Sequence, residues 1–98
     1  MKFTEQKLEG IYLIEPEPYK DQRGMLRRNF CQEEFNRFGL MSEIKQTNVS
    51  ENKKKYTLRG FHFQLAPFGE NKVISCMKGG IYDVVVDLRK ESKTYLQW

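Results

Sequence analysis

Apolar residues in this chain come in short runs, and only one stretch has helical spacing. Ile11-Tyr12-Leu13-Ile14 predicts a strand. It is ended by Glu15-Pro16-Glu17-Pro18, because proline cannot donate to a central ladder. Residues 1–10 are polar and read as a lead-in. Asp21-Gln22-Arg23-Gly24 predicts a turn, and 25–30 a second strand, very polar for one because of Arg27 and Arg28. Residues 31–38 predict the one helix. Phe35 and Phe38 share a face at i, i+3, and Gly39 follows as a stop signal. A helix this short must dock on something to persist.

Beyond it, 43–50 alternates loosely, with Ile44, Gln46, Asn48 and Ser50 on one side. Residues 56–63 and 72–77 predict strands separated by the break Ala66-Pro67-Phe68-Gly69. Gly79-Gly80 predicts a tight hairpin turn into a returning strand over 81–88. A polar turn at 90–93 leads to a last strand over 94–98. Many short strands and one short helix predict an all-β, antiparallel sandwich or barrel. A jelly roll needs about eight strands, more than this pattern supplies, so the sandwich is expected to be incomplete. With no repeat or low-complexity linker, 1–98 is expected to be a single domain.

Composition changes this picture little. Seven Phe and five Tyr argue against disorder. No apolar run approaches the roughly 18 residues of a membrane helix. The N-terminus has no apolar core of a signal peptide, so the expected location is cytoplasmic. Cys31 and Cys76 match no metal or redox spacing and read as free buried thiols. The net charge of +4 suits anionic partners such as phosphates or nucleotides. Nucleic-acid binding through Lys53, Lys54 and Lys55 with Tyr56 is the weaker reading. A solvated surface explains that run.

The candidate chemistry lies between Leu58 and Asp87. His62 is the only histidine, and histidine is suited to proton transfer near neutral pH. On strict alternation His62 shares a face with Leu58, Gly60 and Gln64, and Arg59 points away. A bulge at Gly60 would bring Arg59 to the same side. Lys72 heads the next predicted strand, where it either reaches a carbonyl or phosphate or guards a sheet edge. Asp87 orients His62, pairs with a basic neighbour or caps the next turn. A metal site is not expected, because His62-Phe63-Gln64 offers one ligand where a catalytic metal needs three.

These motifs resemble those of the dTDP-4-dehydrorhamnose 3,5-epimerase family. Leu58-Arg59-Gly60-Phe61-His62-Phe63-Gln64 resembles its LRG-x-H-[Tyr/Phe]-Q signature. Asp21-x-Arg23-Gly24 and Gln46-x-Asn48-x-Ser50 look like two others. So do Lys72 with the 78–89 segment, and Ser92-x-Thr94-Tyr95-x-x-Trp98. The resemblance runs in order along nearly the whole chain.

It implies a homodimeric, cupin-like jelly roll that uses no cofactor or metal. It also implies a dTDP-linked 4-keto-6-deoxy sugar as substrate, epimerised at C3 and C5, with no part for nucleic acid or a membrane. In that reading His62 is the general base and Lys72 stabilises the enolate oxygen. Arg59 binds the pyrophosphate, aided by Arg23 from a partner subunit, and Gln46 and Asn48 contact the nucleotide. A carbon acid beside a ketone needs such a base and cation.

Two positions depart from the family pattern. Leu26 stands where a Phe usually packs on the base, and Arg28 where a Glu usually contacts the sugar nucleotide. The resemblance also places the family's general-acid tyrosine, and an aspartate partner for the histidine, beyond the position of Trp98. The alternatives are a 3,4-ketoisomerase, a single-site epimerase, or a non-catalytic remnant that binds nucleotide.

Overall fold

The N-terminal residues form a strand that pairs with the first predicted one. The computed structural model describes residues 1–98. In it β1 (Lys2–Glu5) runs antiparallel to β2 (Tyr12–Glu15), with Phe3 opposite Ile14 and Glu5 opposite Tyr12. The expected lead-in is therefore partly a strand. The one apolar residue of β1, Phe3, shares a face with Tyr12 and Ile14, which is where pairing buries it. Lys2 and Glu15 add a cross-strand ion pair at 3.4 Å. The loop is closed by Gln6 N–H donating to the Ile11 carbonyl at 2.8 Å. β2 stops at Glu15, before the two prolines, as the sequence predicts.

A second antiparallel pair, β3 (Tyr19–Asp21) and β4 (Gly24–Leu26), closes over the predicted turn, with Asp21 opposite Gly24. β4 ends well short of the predicted 25–30. Arg27 and Arg28 follow it outside any ladder.

Helix α1 (Gln32–Arg37) begins after Cys31, whose extended backbone accepts from Phe35 N–H at 3.0 Å. Glu33 and Glu34 occupy its first turn and Arg37 its last, the arrangement the helix dipole favours. It ends in a Schellman motif. Leu40 N–H reaches the Phe35 carbonyl at 3.1 Å and Gly39 N–H the Asn36 carbonyl at 3.0 Å. Gly39 sits at φ 66°, the left-handed position the motif requires. The helix docks through aromatic rings. Phe35 is 1% exposed and meets Phe3 edge-on at 5.4 Å and Phe30 at 4.8 Å. Phe38 stacks on Phe3 at 4.4 Å.

The chain folds as two units, Met1–Ser42 with Cys76–Trp98, and Glu43–Ser75. The first holds every regular element: two small antiparallel sheets and one short helix. Its buried side chains are Leu8, Phe35 and Asp87; the cysteines expected to be buried are not, since Cys31 is half-buried and Cys76, in a run without a partner strand, is exposed.

The second unit has turns and bends but no strand, and all of its residues are exposed. The strands predicted at 56–63 and 72–77 are not formed. Neither are those at 81–88 and 94–98 in the first unit. Valine, tyrosine and phenylalanine favour strands through cross-strand packing, so the preference is realised only where a neighbouring strand is in register. One trace of pairing survives. Asp87 N–H donates to the Gln97 carbonyl at 3.0 Å, and Leu96 N–H to the Asp87 carbonyl at 2.8 Å. The predicted break at 66–69 is present as a turn, closed by Phe68 N–H on the Leu65 carbonyl at 2.9 Å. No helix is long and apolar enough to cross a membrane.

Candidate active site

The predicted site residues divide between the two units. Arg23 belongs to the first; Gln46, Asn48, Arg59, His62 and Lys72 belong to the second.

Arg23 sits in the β3–β4 turn and is held from below by Asp21. The Asp21 carboxylate accepts Arg23 N–H at 2.8 Å, and Arg23 Nη2 and Nε at 2.7 and 3.1 Å. The Arg23 guanidinium holds the Asp21 carboxyl below the usual carboxylate range. The Arg23 side chain is still 84% exposed. The hairpin therefore presents an oriented cation to solvent, which suits recognition of an anionic group.

In the second unit, Arg59 Nε donates to Asn52 Oδ1 at 2.7 Å. Lys72 is ion-paired with Glu70. The Lys72 ammonium, and then the Gln64 side chain, hold the Glu70 carboxyl below the usual range. His62, Gln46 and Asn48 are exposed. Within this unit no hydrogen bond or ion pair joins Gln46, Asn48, Arg59, His62 or Lys72 to another of the five. Gly60 has φ 122°, a backbone region that favours glycine. Because 56–63 forms no ladder, Gly60 is not the expected bulge, and face-sharing between Arg59 and His62 does not follow from it.

Three participants were not evident from the sequence. Glu70 and Asn52 hold Lys72 and Arg59, and the only signal was a polar residue close by in the chain. Glu34 is the third. It accepts from Arg28 Nη1 at 2.7 Å and from the Met1 α-ammonium at 2.8 Å. Arg28, the departure from the family pattern, is thus neutralised by α1. Leu26, the other departure, is 75% exposed.

Asp87 resolves in favour of the structural alternative. Arg89 reaches both of its oxygens, at 2.9 and 2.8 Å, and Ser92 and Thr94 hydroxyls donate at 2.6 and 2.7 Å. These donors, Arg89 first, hold the carboxyl far below its ordinary value. Asp87 pairs with its basic neighbour and caps the following turn. The same Arg89 helps line a concavity of about 500 Å³, with Lys7, Glu9, Glu91, Ser92 and Thr94 among its walls. None of the predicted site residues lines it. No three His, Cys, Asp or Glu side chains converge as a metal site would require.

Comparison with known proteins extends this residue-level picture. Residues 5–98 match the family model described as dTDP-4-dehydrorhamnose 3,5-epimerase. A Shigella flexneri dTDP-4-dehydrorhamnose 3,5-epimerase is 34% identical, covering 100% of this chain and 54% of the relative. The Methanothermobacter thermautotrophicus protein of the same name is 39% identical over 99% of this chain and 51% of its own length. A Streptomyces niveus dTDP-4-dehydrorhamnose 3-epimerase is 34% identical over 100% of this chain and 47% of its own. No solved structure matches. The chain spans about half the length of these curated relatives. With residues 5–98 matched, the chain belongs to the dTDP-4-dehydrorhamnose 3,5-epimerase family.

Proposed function

We propose that this chain carries the base-and-cation part of an epimerase acting on a dTDP-linked 4-keto-6-deoxy sugar, in dTDP-rhamnose biosynthesis. The observation that carries the reading is the family match across residues 5–98. His62 removes the proton next to the ketone, and Lys72 stabilises the enolate oxygen that results. Arg59 binds the pyrophosphate, with Arg23 supplied by a partner subunit. Gln46 and Asn48 contact the nucleotide. The chain's positive net charge and the oriented guanidinium of Arg23 support an anionic ligand.

Residues 1–98 form the N-terminal part of a single cupin-like jelly-roll domain that works as a cytoplasmic homodimer. Support for further strand pairing comes from the side chains the β-prone runs leave in solvent. Leu58 is 89% exposed, Phe61 72% and Phe63 63%.

The test is NMR of deuterium uptake from solvent into the dTDP-4-keto-6-deoxy sugar. Label at both C3 and C5 supports a 3,5-epimerase. Label at C3 alone favours the second reading, a single-site enzyme like the one named for the Streptomyces niveus relative. Label at neither carbon overturns both.

A further inference from the structure

Lys72 does not stand alone in its unit. Its ammonium is ion-paired with the Glu70 carboxylate, two residues back on the same short segment. That ion pair lies just beyond the 66–69 turn. The proposed enolate-stabilising cation thus has a carboxylate partner from its own segment.

We propose that Glu70 is a positioning residue for Lys72. The proposal rests on the epimerase reading of Lys72. A lysine ammonium ends a flexible stem, and a cation used to stabilise developing charge must already be in place when that charge appears. Both partners are partly exposed, 46% for the Lys72 side chain and 37% for Glu70. Exposed ion pairs contribute little to stability, so this pair acts on where the ammonium sits more than on whether the chain folds. For the same reason Glu70 variants remain folded and can be assayed.

Two measurements on the full chain test it. The first is the carboxyl titration of Glu70 followed by ¹³C NMR, which needs no turnover. In the parent chain the midpoint lies below the ordinary 4.5, and in Lys72→Met it returns towards that value. Equal midpoints in the two chains would overturn the contact. The second is steady-state epimerisation. Glu70→Gln lowers kcat roughly tenfold with KM unchanged, the cost expected when a catalytic group is misplaced, and Glu70→Asp recovers part of the loss. An unchanged kcat in Glu70→Gln would overturn the positioning role. If His62→Asn is inactive in the same assay, the epimerase reading survives that failure. If His62→Asn keeps full activity, the epimerase reading fails, and the carboxyl titration still decides the Glu70 contact.

Discussion

The two units differ in how their sequences are satisfied. In Met1–Ser42 with Cys76–Trp98, apolar residues meet partners in register: Phe3 lies opposite Ile14, and Phe35 closes over Phe3 and Phe30. In Glu43–Ser75 equally β-prone residues have no ladder to join, and Val49 is 99% exposed. Yet this second unit holds five of the six residues proposed for binding and chemistry. Local order in it comes from pairs of polar side chains close in sequence, Arg59 with Asn52 and Lys72 with Glu70. Packing organises one unit, and short polar contacts organise the other.

Substitutions sharpen that contrast, and the largest effect belongs to the aromatic cluster. Phe35→Ala is expected to cost about 3–5 kcal/mol, the range for emptying a buried aromatic site, measured as a shift in the urea midpoint. Asp87→Asn removes a carboxylate that accepts from Arg89, Ser92 and Thr94. Because folding depresses the Asp87 pKa, its stabilisation is complete above the ordinary value of 3.8 and is lost as pH falls below it. The parent chain should therefore lose stability more steeply below that pH than Asp87→Asn, as read from acid unfolding by circular dichroism. Gly39→Ala is expected to cost about 1 kcal/mol, because an L-residue resists the left-handed conformation of the Schellman position, again read from the urea midpoint. Val49→Ser should fall within about 0.5 kcal/mol of the parent. A large effect there would mean that the second unit packs after all, and would erase the contrast.

Much of the first unit was legible in the sequence. Phe35, Phe38 and Gly39 announced the helix and its end, the two prolines marked the end of β2, and Asp21 to Gly24 marked the hairpin turn. The polar lead-in hid β1, because Phe3 is a lone apolar residue in that strand whose role appears only when Ile14 lies opposite it. The predicted strands at 56–63, 72–77 and 81–88 failed for the complementary reason. Alternation records a preference for a sheet, while a sheet needs a second strand that local sequence cannot name.

The candidate site was legible as residue types. Its contacts were not: Glu70 is one acidic residue among many, two positions before Lys72, and Asn52 lies seven before Arg59. Asp87 showed both sides of this, since pairing with a basic neighbour and capping a turn were each among the readings its sequence context allowed, and the structure does both.

The measurement that bears most directly on the central claim compares the parent chain with His62→Asn. Each is incubated in deuterated solvent with the dTDP-4-keto-6-deoxy sugar and followed by NMR, with dTDP affinity measured alongside by calorimetry. With His62 as the base, label enters the sugar at C3 and C5 with the parent chain, none enters with His62→Asn, and dTDP affinity is the same for both. Equal deuterium uptake by the two chains would contradict it.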